Sequence, residues 1–235
     1  MRRYFPVGRR SIPRSSSLCG WRTQIPLAVG CLLLATLAFS SLRQDRAYAD
    51  NAACTLCISQ VYGGGGNKDA PYNADFIEVF NATENVIDLG SWSVEYAAAN
   101  SSDWQSVALS GRSIQPYAYL LIAMETGATG APLPAPDVTA NIEVAATNGK
   151  VQLKNGSNHA DQLSYGNADS SEGQPAPTGS NTKGLLRNNG GCTDTNNNSA
   201  DFTRTVPTPR NSAAPQNFCT PPTPTPTPIP APTDT

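Results

Sequence analysis

The sequence predicts an all-β sandwich, and three observations predict it. Short runs rich in Val, Ile, Leu, Phe, Tyr and Trp recur from Cys57 to Arg204, separated by Gly, Pro, Asn, Asp and Ser. No segment there holds a sustained 3.6-residue apolar period with caps at both ends. Most connections are short enough for antiparallel meandering strands, which need no crossover helices.

The first 49 residues stand apart from this pattern. Residues 1–24 hold six arginines and no acid, and an apolar run, "IPLAVGCLLLATLAF", follows at 25–39. Ala47-Tyr48-Ala49 then supplies a small-x-small site. A basic start, a short apolar stretch and such a site read as a secretory signal cleaved after Ala49. Fifteen residues also fall short of the roughly 20 that a spanning helix needs, so no transmembrane segment is expected after cleavage. The arginine pairs suit either general or twin-arginine export. Residues 1–49 hold eight of the 16 Lys and Arg and one of the 18 Asp and Glu, so the remainder has a net charge of −9. A chain this acidic is not expected to bind nucleic acid generally, because it repels phosphate backbones.

The domain is expected over 50–219. "ISQVY" (58–62) is a strand, and "GGGGNKDAPYN" (63–73) is a loop whose glycines predict flexibility. "DFIEVFN" (75–81) is the next strand, "TEN" turns, and "VIDLGSWSVEYA" (86–97) gives a short and a longer one. Further strands are expected at 104–109, 113–125, 141–145, 151–154, 161–166, 183–187 and 201–204. Two Ala-, Pro-, Gly- and Ser-rich stretches, 126–140 and 167–182, read as long surface loops. The end, "TPPTPTPTPIPAPTDT" (220–235), is a disordered spacer or stalk, since alternating Thr-Pro favours polyproline II over a ladder. It is a candidate for O-glycosylation. It has neither a sorting motif nor an apolar stretch, so covalent wall anchoring is not expected.

Four cysteines follow the leader: Cys54, Cys57, Cys192 and Cys219. An even set in an exported chain predicts two disulfides, with three connectivities open. The favoured reading joins the two N-terminal cysteines to the two C-terminal ones and clamps the ends of the domain. Loops that long stabilise by about 4–5 kcal/mol each in the chain-entropy model. Cys54-Thr55-Leu56-Cys57 has the C-x-x-C form, but Cys192 and Cys219 do not make a second such pair and no helix follows. Zinc and redox roles are therefore disfavoured.

"ISQVYGGGGNKDAPYNADFIEVFN", followed by "VIDLGSWSVEYA", resembles the lamin tail domain family. Its marks are an initial strand, a strand carrying Phe76, Ile77, Glu78 and Asn81, and a corner carrying Leu89 and Trp92. "WQSVALSGRSIQPYAYLLIAME" continues the likeness, and "KGLLRNNGGCTDTNNNSADFTRTVPTPRNSA" resembles the closing segment of secreted bacterial members. The likeness covers roughly 57–214 and is looser over 126–182. It implies an immunoglobulin-like β-sandwich. In nuclear lamins the module binds partners; in exported bacterial proteins it accompanies hydrolases or stands beside Pro/Thr linkers. The family motif is structural and implies no catalytic residues.

A carboxylate inside a strand, Glu78, invites the question of catalysis. Side chains on a strand alternate faces, so Ile77 and Val79 share one face and Phe76, Glu78 and Phe80 the other. With Ile77 and Val79 in the core, Glu78 is expected outward or at a sheet edge. Asn81 is expected to satisfy free backbone groups in the turn, and Trp92 to plug the core. These residues read as a structural corner, since a catalytic acid needs a partner at fixed distance and none is marked.

Other chemistry is sparsely represented. One histidine, His159, excludes two- and three-histidine metal centres. No G-x-S-x-G elbow is present to complete a triad. The carboxylates are scattered rather than paired for glycoside hydrolysis. "YGGGGN" leads into a strand, not the helix a phosphate cradle requires. Lys150, Lys154, Lys183 and Arg187 are too sparse for a DNA patch. The best site candidate is "CTDTNNNSADF" (192–202), where Asp194, Asn196, Asn198 and Asp201 offer oxygens of the kind calcium takes. It lacks the glycine and the twelfth-position Glu of an EF-hand loop. The expected function is a secreted, non-catalytic binding, adhesion or scaffold module of the cell surface, with an unidentified protein or surface polymer as partner. The alternative is an accessory module, or a minimal form, of a secreted nuclease or phosphatase, but nothing outside 57–219 would house a separate catalytic domain.

Overall fold

The computed structural model describes residues 54–219. The expected leader with its cleavage site at Ala49, and the Thr/Pro run at 220–235, lie outside the described residues. Twelve strands are seen among them. In chain order they are β1 (Leu56–Tyr62), β2 (Ala74–Asn81), β3 (Ile87–Asp88), β4 (Trp92–Ala98), β5 (Gln105–Ala108), β6 (Ser113–Ile114) and β7 (Tyr119–Thr126). β8 (Val138–Thr139), β9 (Gly149–Asn155), β10 (Asn158–Tyr165), β11 (Gly184–Arg187) and β12 (Phe202–Thr205) complete the set. A 3-10 turn at Asn188–Gly191 and a one-turn helix, α1 (Asn198–Asp201), lie between β11 and β12. No helix among the described residues is long and apolar enough to cross a membrane.

The strands form an immunoglobulin-like sandwich. One sheet has the order β12-β11-β1-β2-β7-β8, the other β10-β9-β4-β5, and β3 and β6 pair separately. Alternation puts Ile77 and Val79 of β2, and Leu120, Ile122 and Met124 of β7, into the core. They share it with Val94, Tyr96, Val151, Leu153 and Leu163 from the second sheet. β1 holds its alternation only through a bulge: Ile58 faces Val79, Gln60 faces Glu78, and Ser59 is the extra residue. The Ser59 hydroxyl then reaches the Glu78 carboxylate at 2.6 Å.

Several expectations change here. Glu78 is not outward; it is fully buried, as are Phe76 and Phe80 on the same face. The chain after β12 crosses that face, so β1 and β2 are covered on both sides. Leu89 is fully buried, but Trp92 is only half-buried and packs at the margin of the core. Asn81 is buried; its amide donates to the carbonyls of Asn85, Ile114 and Gln115, and its oxygen accepts from the Thr83 N–H. Residues 141–145 are not a strand, although Ile142 and Val144 are buried. The Val144 N–H donates to the Asp75 carboxylate in place of a ladder partner. The 126–140 excursion contains β8, which pairs parallel to β7.

The glycine-rich stretch is not a flexible loop. A Cβ on Gly65 would lie 1.9 Å from the Ala74 carbonyl carbon, and one on Gly66 would lie 2.2 Å from the Gly127 Cα. Glycine is needed at these positions because backbones approach too closely for any side chain. The disulfides also differ from the favoured reading. Cys54 pairs with Cys57, and Cys192 with Cys219, so neither bond joins the two ends of the domain. The bridged cysteines are 3 and 27 residues apart, and the longer loop contributes about 3.5 kcal/mol in the chain-entropy model.

Candidate functional site

Three polar clusters are candidates for chemistry. The first surrounds Glu78. Its carboxylate accepts from Ser59, from Gln60 and from Arg210, whose Nη2 lies at 2.7 Å and whose backbone N–H lies at 2.7 Å. Arg210 also donates to the Tyr119 hydroxyl, with its guanidinium 3.8 Å from the centre of that ring. Burial pushes the Glu78 pKa up, and the Arg210 charge pulls it back. Every oxygen is committed to a donor, so the cluster is an anchor, with no substrate-facing acid.

The second cluster surrounds Arg187 at the end of β11, whose side chain is fully buried. The guanidinium binds both Asp161 oxygens at 2.7 and 2.8 Å, and it donates to the carbonyls of Ile58 and Thr193. Asp194 lies 3.3 Å and Asp201 3.9 Å from Nη1. Burial raises the Asp161 pKa against the pull of Arg187. Glu172, nearby, is pushed up to about 7 by burial and by the charges of Asp161 and Asp194.

This is where the four expected calcium ligands fall, and the structure does not bring them together as a cage. Asp194 accepts from the N–H groups of Cys54 and Asn196. Asp201 accepts from the N–H groups of Thr195 and Asn197 and from the Thr195 hydroxyl. Asn198 is buried and turned to β10, where it bonds the Ser164 N–H and the Gln162 carbonyl. Asn196 is exposed with φ at 53°. A single Sγ or carboxylate oxygen from each of Cys54, Asp161 and Asp194 lies within 4.8 Å of the others. Cys54 is disulfide-bonded, however, and Arg187 already sits on both acids.

The third cluster is a cleft of about 260 Å³ between the glycine-rich stretch, the end of β7 and residues 143–146. Asp75, Glu125 and Glu143 line it, and no Lys or Arg does. Asp75 is buried and ties two walls together, accepting from the Gly65 N–H at 2.7 Å and the Val144 N–H at 3.0 Å. Burial, with Glu125 and Glu143 adding repulsion, pushes its pKa up to about 7. The same burial, with Asp75 beside it, pushes Tyr62 up to about 12. Such a cleft favours a cationic or hydrogen-bond-donating group. Little in the sequence marks it: Asp75 stands one residue before an apolar run, and its partners lie 10 and 69 residues away. Arg210 was equally unmarked, because its carboxylate partner is 132 residues distant.

His159 lies exposed near the start of β10. No curated protein matches the chain. The family description Lamin Tail Domain matches residues 49–194. That match spans more than half of the sequence and agrees with the sandwich described above, so the protein belongs to the lamin tail domain family.

Proposed function

We propose that the protein is an exported, non-catalytic binding or scaffold module of the cell surface, with its Thr/Pro stretch as the stalk that holds it at a distance. The observation that carries this reading is the use made of the buried charges. Glu78, Asp161 and Asp201 are each spent on an arginine or on backbone N–H groups that hold the fold together. Catalytic acids and bases need instead an open partner and a proton to move. Two disulfides suit an oxidising compartment. The acid-lined cleft is the place where a protein or surface polymer bearing cationic or donor groups would bind, and general nucleic-acid binding is not expected of a chain this acidic.

Two assays test the proposal on the purified chain. Capture from the native cell surface should recover a partner whose binding weakens on Glu125→Gln/Glu143→Gln substitution. Incubation with DNA, phosphate esters and glycans, with calcium or magnesium present, should give no turnover. Turnover abolished by changing one carboxylate overturns the reading in favour of a minimal hydrolase.

A further inference from the structure

Residues 207–218 form a strap across the outer face of β1, β2 and β7, and it is held almost wholly by polar contacts. The Gln60 side chain pairs with Thr208 as a strand would, accepting from its N–H at 2.7 Å and donating to its carbonyl at 3.0 Å. Arg210 seats on Glu78 and Tyr119. The Ser212 N–H and hydroxyl both donate to Asp137. Of these twelve residues only Pro207 is buried. Immediately after the strap, Cys219 is bonded to Cys192, and the sequence continues into the Thr-Pro run.

The other end of the described chain arrives at the same place. The Cys54 N–H donates to Asp194 at 3.2 Å, two residues from Cys192. Both ends therefore meet on the segment 192–194. Tension applied between them passes from Cys219 directly into Cys192, and the strap lies outside that path. Without the bond, the same tension would enter at residue 218 and peel the strap one contact at a time.

We propose that Cys192–Cys219 is a redox-set tension lock, which keeps the strap seated while the Thr-Pro run is pulled. A dithiol reductant opens it: the S–S bond takes up two electrons and two protons to give two thiols, and the reductant becomes its own disulfide. Once opened, modest tension lifts the strap and uncovers Gln60, Glu78 and Tyr119. Lifting breaks the Arg210–Glu78 ion pair and the paired Gln60–Thr208 hydrogen bonds, and regaining them reseats the strap when tension falls. The lock has its use if the module is tethered as proposed. Its test needs no ligand, so the two readings fail separately.

The full chain held by its two ends in a force-extension experiment tests the lock. The oxidised protein should unfold without any earlier step. With a dithiol present, an early low-force step should precede sandwich unfolding, with a gain of at most roughly 45 Å for the 13 residues from Pro207 to Cys219 at full stretch. Cys219→Ser should show that step without reductant, which separates the effect from reduction of Cys54–Cys57. Arg210→Ala in the reduced chain should lower the force at which it occurs. An early step in the oxidised chain, or a reduced chain in which strap and sandwich release together, overturns the proposal.

Discussion

Arg187 shows how much one side chain can hold. It has no water to fall back on, and it ties β11 to β1, β10 and the 192–202 segment at once. Removing one member of a buried pair leaves the other charged in a poor solvent, at a cost of about 3–5 kcal/mol. Arg187→Met should therefore lower unfolding stability by that amount in urea titration. Adding Asp161→Leu should recover part of the loss, because the stranded carboxylate goes with it. Arg187→Lys should not rescue, since an ammonium cannot bind both Asp161 oxygens while reaching the Ile58 carbonyl. A loss below about 1 kcal/mol for Arg187→Met shows that the cluster relaxes easily. None of this is legible in the sequence. In the sequence Arg187 is one of a few scattered bases, and its partner lies 26 residues earlier.

At the scale of elements, the sequence reads strands well and connections poorly, and the reason is physical. A strand is marked by its own alternation, so β2, β4 and β9 stand where the apolar runs place them, while the 113–125 run divides around Pro116 into β6 and β7 and β10 begins three residues before its apolar run. A connection is fixed by what it touches, which lies elsewhere in the chain. The glycines of 63–66 suggest freedom and instead mark backbone contact with residues 74, 127, 144, 145 and 181. Gly65→Ala should cost about 1–3 kcal/mol by forcing the β1–β2 connection off Ala74. A urea midpoint unchanged from the parent would show that the connection yields. The 192–202 segment makes the same point about chemistry. Its alternating Asp and Asn suggest an ion cage, yet their oxygens answer N–H groups and Arg187. A calcium titration should accordingly give no heat and no melting shift. Heat that disappears in Asp194→Ala would restore the calcium reading.

Across the sandwich, four buried or half-buried carboxyls among the described residues hold their protons more tightly than a free carboxyl does. Asp75 and Glu172 are both raised to about 7, and Glu78 and Asp161 are raised as well, each chiefly by burial. An acid whose folded pKa lies above its unfolded value binds its proton more tightly when folded. Its stabilising contribution is then fully present below about pH 4 and is lost as pH rises through the folded value. For Asp75 and Glu172 that loss falls between about pH 4 and 7, and little change remains above about pH 8. The net charge of −9 after residue 49 works in the same direction, since deprotonation adds to self-repulsion. The urea midpoint should therefore rise as pH is lowered from 8 to 5. Asp75→Asn should flatten part of that slope, because an amide in the same place has no proton to gain. A midpoint that instead climbs from pH 5 to 8 would mean that the buried acids are held ionised by their donors, and that the cleft presents a standing negative charge at every pH in that range.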